Sequence, residues 1–499
     1  MNIAVTLPEA EILRSDFFAS KHRLLIDGKW VEAKSGKTFD VFNPATGQVI
    51  AHAADAGKED VDLAVQAARR AFEDGPWSRM PPSQRALLIF RLADAIDAIG
   101  DEMALIETLD VGRPIKVARG HDVAGAVDRL RYYAGWATKI SGSTLPVTSQ
   151  NPKDFLAYTL REPVGVCGLI VPWNAPLVTA VSKLGPALAA GCTVILKPAE
   201  QTPLSALRLG QLIQEVGFPD GVVNILTGFG ETGAAMVDHR GIDKVSFTGS
   251  TEVGKQIVRA STGNLKRVTL ELGGKSPVIV FPDADMTTAI EGAARGIFSN
   301  TGQVCAAGSR LFAHERVFDQ LVEGVAANAR KIKVGPGIDP ETEMGPVVSQ
   351  EHLERVTGYM KAGRDAGANV VTGGGRAEGK GYYVQPTILT QTTTNMSVWR
   401  EEIFGPVLCA MSFSDADLDR ILAEANDTDY GLAAYIFTRD LSVAHRTARK
   451  IKAGSVRING GMQDIGVPFG GYKQSGWGRE NALEGIEIYT EIKSVTVAL

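Results

Sequence analysis

Apolar positions change their period several times along this chain. From about residue 57 to 140 they recur at i, i+3 and i+4, as in Asp60–Ala68 and Arg85–Leu92, which predicts amphipathic helices. Around 140–165 the pattern turns polar and extended. Ser141-Gly142-Ser143 reads as a turn and Phe155, Ala157 and Thr159 alternate, so a hairpin leaving the domain body is expected. Short apolar runs then follow at Val166–Val171, Thr193–Leu196, Val222–Leu226, Lys244–Phe247 and Val268–Leu272, each separated by a helical stretch. Such strand–helix repetition predicts a parallel sheet covered by helices, because parallel neighbours need crossover connections. A second α/β region is expected over about 273–470, with helices at 285–300, 316–332 and 347–366 and a turn at Gly373-Gly374-Gly375. The final Glu491–Leu499 segment alternates as a strand, and its expected partner is the 140–165 hairpin of its own or another subunit.

Composition narrows the function. The chain has 499 residues, enough for two or three domains, with 44% hydrophobic and 22% charged residues, as in ordinary globular enzymes. A net charge of −5 gives no electrostatic reason to expect nucleic acid or an anionic membrane as partner. The four cysteines, Cys167, Cys192, Cys305 and Cys409, are too scattered for a disulfide framework or a C-x-x-C site, and no metal is expected. Residues 1–20 do not read as a secretory signal, since Glu9, Glu11 and Asp16 replace a basic start and an apolar core. The uncharged run Pro163–Ser182 is broken by Pro172, Asn174 and Pro176 and does not read as a membrane span. A cytoplasmic enzyme is the expectation.

Two glycine turns compete as the nucleotide site. Gly228-Phe229-Gly230-Glu231-Thr232-Gly233 is a literal G-x-G-x-x-G after a strand, and it reads equally well as a tight strand-to-helix turn. Phe247-Thr248-Gly249-Ser250-Thr251-Glu252-Val253-Gly254 offers free amides and a hydroxyl at a helix start, which suit phosphate; the other reading is a helix cap at Ser250 or Thr251. Lys197 and Glu200 stand where the second strand ends, the edge at which open parallel sheets bind ligands. A carboxylate there suits ribose hydroxyls and repels a 2′-phosphate, which favours NAD over NADP.

Three further residues carry candidate chemistry. Cys305 follows the polar run Ser299-Asn300-Thr301-Gly302-Gln303-Val304, so its thiol suits a nucleophile as well as a small buried hydrophobe. Glu271 ends an apolar strand, where burial raises a carboxyl toward a useful general-base pKa; an ion pair with Lys275 or a nearby arginine is the alternative. Asn174, framed by Pro172 and Pro176, suits an oxyanion donor or a helix N-cap.

Together these motifs resemble the aldehyde dehydrogenase superfamily from about residue 22 to 499. Leu270–Pro277 resembles its glutamate signature and Gly302-Gln303-Val304-Cys305 its cysteine signature. Pro172-Trp173-Asn174, Lys197-Pro198-Ala199-Glu200, Phe247-Thr248-Gly249-Ser250, Glu402-Ile403-Phe404-Gly405-Pro406-Val407 and Pro468–Gly476 complete the set. Within the superfamily the chain resembles NAD-dependent aldehyde and phenylacetaldehyde dehydrogenases. The implied fold is α/β: a Rossmann-type parallel-sheet cofactor domain (1–139 and 161–272), an α/β catalytic domain (273–472), and an oligomerisation hairpin with the C-terminal strand (140–160 and 473–499). The resemblance implies that Cys305 attacks the aldehyde, Asn174 and the Cys305 N–H hold the oxyanion, and Glu271 activates the water that hydrolyses the thioester. It further implies Lys183 and Glu480 as a proton relay. For NAD it implies Trp173, Lys197, Glu200, Phe247, Gly249, Ser250, Leu272, Glu402 and Phe404, with Gly228 against the adenine side.

The substrate is read from the helix after Asn174. Ala175, Thr179 and Ser182 share one helical face and are all small, where large groups line the tunnel in many family members. With Val304 and Phe469 they suggest a wide tunnel for a bulky apolar aldehyde, aromatic or terpenoid-like; close packing by another helix is the alternative. Ser182 stands where an arginine would hold a short acidic substrate, and Asn459–Ile465, expected at the tunnel mouth, is glycine-rich. A medium-chain aliphatic aldehyde, a cofactor-independent thiol hydrolase and a non-catalytic protein on the same scaffold are the competing readings. A homo-oligomer is expected, with a tetramer favoured over a dimer.

Overall fold

The apolar runs between residues 166 and 271 form the middle of an eight-stranded sheet, whose order explains where a ligand fits. The computed structural model describes residues 16–148, 151–415, 418–461 and 463–499. Most of the stretch read for a secretory signal (1–15), and Met462 in the expected tunnel-mouth segment, lie outside the described residues.

Arg267–Glu271, Lys244–Thr248, Val166–Ile170, Thr193–Lys197 and Val223–Ile225 lie side by side in that spatial order, all parallel. The chain therefore winds one way from Val166–Ile170 and then reverses to Lys244–Thr248. Loops leaving these two strands splay to opposite faces and open a crevice at the carboxyl edge. Antiparallel neighbours extend both sides: Gly476–Trp477 pairs with Arg267–Glu271, and Leu24–Ile26 with Val223–Ile225.

Pro176–Ala190 is the central covering helix. Proline at its first turn lacks only an N–H that would be unpaired anyway, and Gly191 ends it at φ 99°. Leu177, Leu184 and Leu188 are fully buried, each contributing roughly 1.5–3 kcal/mol. The helix packs against Ala124–Trp136, and a Cβ at Gly185 would come within 2.9 Å of the Tyr133 ring, so the two axes approach closely.

A seven-stranded sheet forms the second body, in the order Asn369–Thr372, Thr387–Thr390, Val407–Phe413, Arg310–His314, Pro277–Val280, Ala433–Phe437 and Ser455–Ile458. Its helices, Met286–Phe298, Glu315–Lys331 and Gln350–Asp365, fall within a few residues of the expected ones. Among the described residues no helix is long and apolar enough to cross a membrane.

The terminal strand Thr490–Ala498 pairs antiparallel with Phe155–Pro163 of the same chain over its whole length. The open choice between its own hairpin and another subunit's thus falls to its own. The segment expected to belong wholly to that small sheet divides. Gly476–Trp477 joins the cofactor sheet, Glu484–Glu487 packs on Pro176–Ala190, and Thr490–Ala498 pairs with the hairpin.

Candidate active site

Asn174 lies in the loop between Val166–Ile170 and Pro176–Ala190. The residue capping that helix is Ala175, with no side-chain cap bond, so the N-cap alternative for Asn174 does not hold. Its side-chain Nδ2 instead donates 2.9 Å to the carbonyl of Gln303, two residues before Cys305. One amide hydrogen is thereby pinned, and the other has no partner among the described residues.

The Cys305 loop has an unusual backbone. Asn300, Thr301 and Gly302 all take left-handed conformations, at φ 49°, 57° and 70°. Two non-glycine residues held this way store strain that the surroundings must oppose. Thr301 Oγ1 donates to the Gly345 carbonyl, Gln303 Oε1 accepts from the Val348 N–H, and Asn300 Nδ2 donates to both the Asn174 and Gln303 carbonyls. Glycine is required at 302, where a Cβ would sit 2.1 Å from the Gly405 backbone. Desolvation, with the nearby carboxylates of Glu402 and Glu271, pushes the Cys305 thiol up to about 12.

Glu271 ends its strand facing this loop. A Cβ on Gly274 would lie 2.2 Å from the Cys305 carbonyl, so the chain that carries Glu271 runs against the cysteine backbone. Burial, and then the Glu480 charge, hold the Glu271 carboxyl well above the usual carboxylate range, while Lys183 and Arg479 oppose that rise. Among the described residues Glu271 Oε2 has no hydrogen-bond partner, and neither has the buried Lys275 Nζ, so the alternative Glu271–Lys275 ion pair is not formed. Lys183 Nζ makes a buried ion pair with Glu480 and donates 3.1 Å to Ser246 Oγ.

The crevice contains the candidate cofactor residues. Ser250 caps the helix Thr251–Ser261 by accepting from the Val253 N–H at 3.3 Å, so the capping reading holds while the residue stays exposed. A Cβ at Gly249 would meet the Phe247 ring at 2.4 Å, and one at Gly254 would meet Leu272 at 2.8 Å. Phe247 and Leu272 are therefore buried supports on which the two glycines rest, and the Gly249 N–H is tied to the Glu271 carbonyl at 3.0 Å. Lys197 is buried and 3.8 Å from the half-buried Glu200. On the opposite wall, Glu402 accepts from the Gly274 N–H at 2.8 Å, and burial pushes its carboxyl up to about 7. Phe404, at φ 61°, stands edge-on to Trp173 with ring centres 5.2 Å apart. A glycine turn with an exposed hydroxyl, a cation and carboxylate at a strand end two strands away, and a carboxylate and aromatic pair opposite fit an extended dinucleotide.

Gly228 is enclosed within its own turn, whose Gly233 borders Lys197. Its backbone is buried, and a Cβ there would strike Thr232 Oγ1 at 2.3 Å and Asp55 at 3.1 Å; Thr232 itself donates to the Ala56 carbonyl. This turn packs against the chain following Gln48–Ala54. On the substrate side, Ala175 and Thr179 are half-buried, whereas Ser182 is buried and donates to the Val178 carbonyl of its own helix. Val304 and Phe469 pack beside Cys305 with Ala306 and Leu432.

Sequence reasoning missed Arg113 and His352. Arg113 reaches the Asn174 carbonyl and Asn300 Oδ1, at 2.8 and 3.2 Å. His352 Nε2 donates 2.8 Å to the Phe404 carbonyl, with its ring against Trp173. Burial lowers the imidazole to about 4, which keeps it neutral. Neither residue stands in a motif; a polar residue beside a turn was the only local signal.

Residues 30–495 match the family model described as the aldehyde dehydrogenase family. The mitochondrial aldehyde dehydrogenase of Leishmania tarentolae is 51% identical over 482 residues, covering 96% of this chain and 95% of that protein. The human mitochondrial aldehyde dehydrogenase is 48% identical, covering 95% and 92%. Among solved structures, the NAD+ complex of an aldehyde dehydrogenase from Bacillus cereus superposes with a TM-score of 0.95 at 49% identity, over 99% of each chain.

Proposed function

The chain belongs to the aldehyde dehydrogenase family, and from that premise we propose that it oxidises a bulky apolar aldehyde to its carboxylic acid with NAD, using Cys305 as nucleophile. The observation that carries the reading is the convergence of three distant segments. The Asn174 amide is fastened to the Cys305 loop, and the Glu271 strand end runs against the cysteine backbone.

Cys305 gives up its thiol proton to water, and the Sγ thiolate so formed adds to the carbonyl carbon to give a thiohemiacetal. Its oxyanion accepts from the free hydrogen of Asn174 Nδ2 and from the Cys305 N–H, donors already aligned before charge develops. A bound NAD would supply the hydride acceptor for that carbon, after which Cys305 carries the acyl group as a thioester. Glu271 then removes a proton from the attacking water. Its raised pKa makes the ionised form a stronger base than an ordinary carboxylate. The Lys183–Glu480 ion pair, whose charges both act on the Glu271 carboxyl, takes that proton onward. Lys197 and Glu200 hold the adenosine ribose, Gly249 and Ser250 face the phosphates with Trp173 beside their approach, and Glu402 and Phe404 hold the nicotinamide riboside. Phe247 and Leu272 act by supporting the glycine turn. Gly228 lies on the adenine side as part of the turn behind it.

Small side chains at 175, 179 and 182 support the wide tunnel. Ser182 contributes by its lack of bulk, since its hydroxyl is already bonded to its own helix. An aromatic substrate of the phenylacetaldehyde type fits this reading. The test is kcat/KM for acetaldehyde, a medium-chain aldehyde, phenylacetaldehyde and a terpenoid aldehyde. Rank order is expected to rise with apolar bulk, and a preference for acetaldehyde overturns the wide tunnel. Four unpaired cysteines accord with a cytoplasmic location. The exposed apolar residues of the small sheet, among them Leu156, Leu160 and Ile492, accord with assembly into a homotetramer.

A further inference from the structure

We infer that Arg113 is a positioning residue for the oxyanion-binding amide of Asn174, an inference that rests on the oxyanion role proposed above. Arg113 precedes Pro114 and is nearly buried. Its Nη1 forms an ion pair with the fully buried Asp122. The rest of its planar fork is directed at the active-site loops. Nη2 donates 2.8 Å to the main-chain carbonyl of Asn174, and Nε donates 3.2 Å to Asn300 Oδ1.

Asn300 repeats the pattern. Once its oxygen is engaged by Arg113, its amide Nδ2 can only face the other way, and it donates 2.9 Å to the Asn174 carbonyl and 3.1 Å to the Gln303 carbonyl. The Gln303 carbonyl also accepts the pinned hydrogen of Asn174 Nδ2. One guanidinium thus determines where the Asn174 main chain sits, which way Asn300 is turned, and where the carbonyl orienting the Asn174 side chain lies. A lysine presents a point charge and cannot make this three-way fork.

Stability alone does not account for the arrangement. Burying an arginine–aspartate pair costs desolvation that well-packed apolar side chains would avoid. Asn300 and Thr301 in addition hold left-handed backbone. Both features are explained if the network holds the amide within a fraction of an ångström of where the oxyanion forms, a tolerance beyond which catalysis falls steeply.

The experiment measures the rate of the NADH burst, which reports acylation, together with KM for NAD and the melting temperature. The variants are Arg113→Met, Asn300→Asp, Asn174→Ala and the double variant Arg113→Met/Asn174→Ala. Asn300→Asp keeps size, the left-handed backbone and the acceptor for Arg113, and replaces the two donations with a carboxylate charge that repels both carbonyls. Arg113→Met is expected to slow the burst about 10- to 100-fold and Asn300→Asp about 5- to 20-fold, with KM for NAD unchanged. The double variant is expected to burst within about twofold of Asn174→Ala alone, because Arg113 acts only through that amide. If Asn174→Ala is slow but the Arg113→Met loss multiplies upon it, the positioning role falls while the oxyanion role stands. If Asn174→Ala bursts at the wild-type rate, the oxyanion role itself falls and the positioning role with it. Should Arg113→Met not fold, Asn300→Asp decides alone: a burst at the wild-type rate overturns the inference.

Discussion

The two sides of the crevice are built differently. Around Cys305 the polar groups that are bonded are held by contacts from far along the chain, Asn174 by Gln303 and Lys183 by Glu480. Along the candidate cofactor turn, Gly249 and Ser250 present backbone and hydroxyl at a partly exposed helix start, where the Ser250 hydroxyl bonds only three residues ahead. Chemistry at one carbon demands exact charge and position, whereas an extended ligand spreads its binding over many weak contacts. Substitutions beside the cysteine should therefore act on turnover by large factors, and those along the turn on cofactor binding by small ones.

The largest effect is expected from Cys305→Ala, which removes the bond-forming atom. NADH formation with aldehyde should fall by roughly 10³-fold or more, as when other covalent nucleophiles are deleted. Retained dehydrogenase activity at 340 nm would exclude thiol catalysis.

Glu271→Gln comes next. The variant should still release a burst of NADH, because acylation does not need the base, while steady turnover slows at least about 100-fold, within the usual range for general-base catalysis. Its pH dependence sharpens the point. The Glu271 carboxyl titrates well above the ordinary range, and only its ionised form is basic. Wild-type kcat should accordingly rise with pH through that raised value, and the rise should vanish in Glu271→Gln. An acid limb unchanged by the substitution would assign it to another group.

On the cofactor side the expected changes are smaller. Replacing Glu200 with Gln removes the repulsion of a 2′-phosphate, so the NAD over NADP ratio of kcat/KM, expected to exceed about tenfold in the wild type, should collapse toward one. Equal use of both cofactors by the wild type would remove the argument. Ser250→Ala should be mildest: loss of the cap costs about 1 kcal/mol of local helix stability and raises KM for NAD a few-fold, leaving kcat nearly unchanged. A large fall in kcat there would erase the contrast between the two sides.

Much of the fold was legible because it is periodic. The expected strands Val166–Val171 and Thr193–Leu196 are observed as Val166–Ile170 and Thr193–Lys197, and the stretch 316–332 as the helix Glu315–Lys331. Competition between the two glycine turns was not resolvable from their residues, since both follow a strand and open a helix. Sheet order separates them: Lys244–Thr248 neighbours the strand where winding reverses, and Val223–Ile225 lies two strands further out. Similarly, the short Leu24–Ile26 and Gly476–Trp477 strands carry too little pattern to be recognised, yet both extend the same sheet.

By itself the order of amino acids determined most of the elements and nominated the candidate reactive groups, because propensity, burial preference and functional-group reactivity are properties of short stretches. Folding alone decided that Ser250 caps a helix, that Glu271 does not pair with Lys275, and that Arg113 reaches across 187 residues to Asn300. Hydrogen bonds of that span depend on how sheets stack and loops meet, and no local period records them. The terminal strand shows the boundary between the two: its alternation announces an edge in search of a partner, and only the course of the chain through space selects Phe155–Pro163.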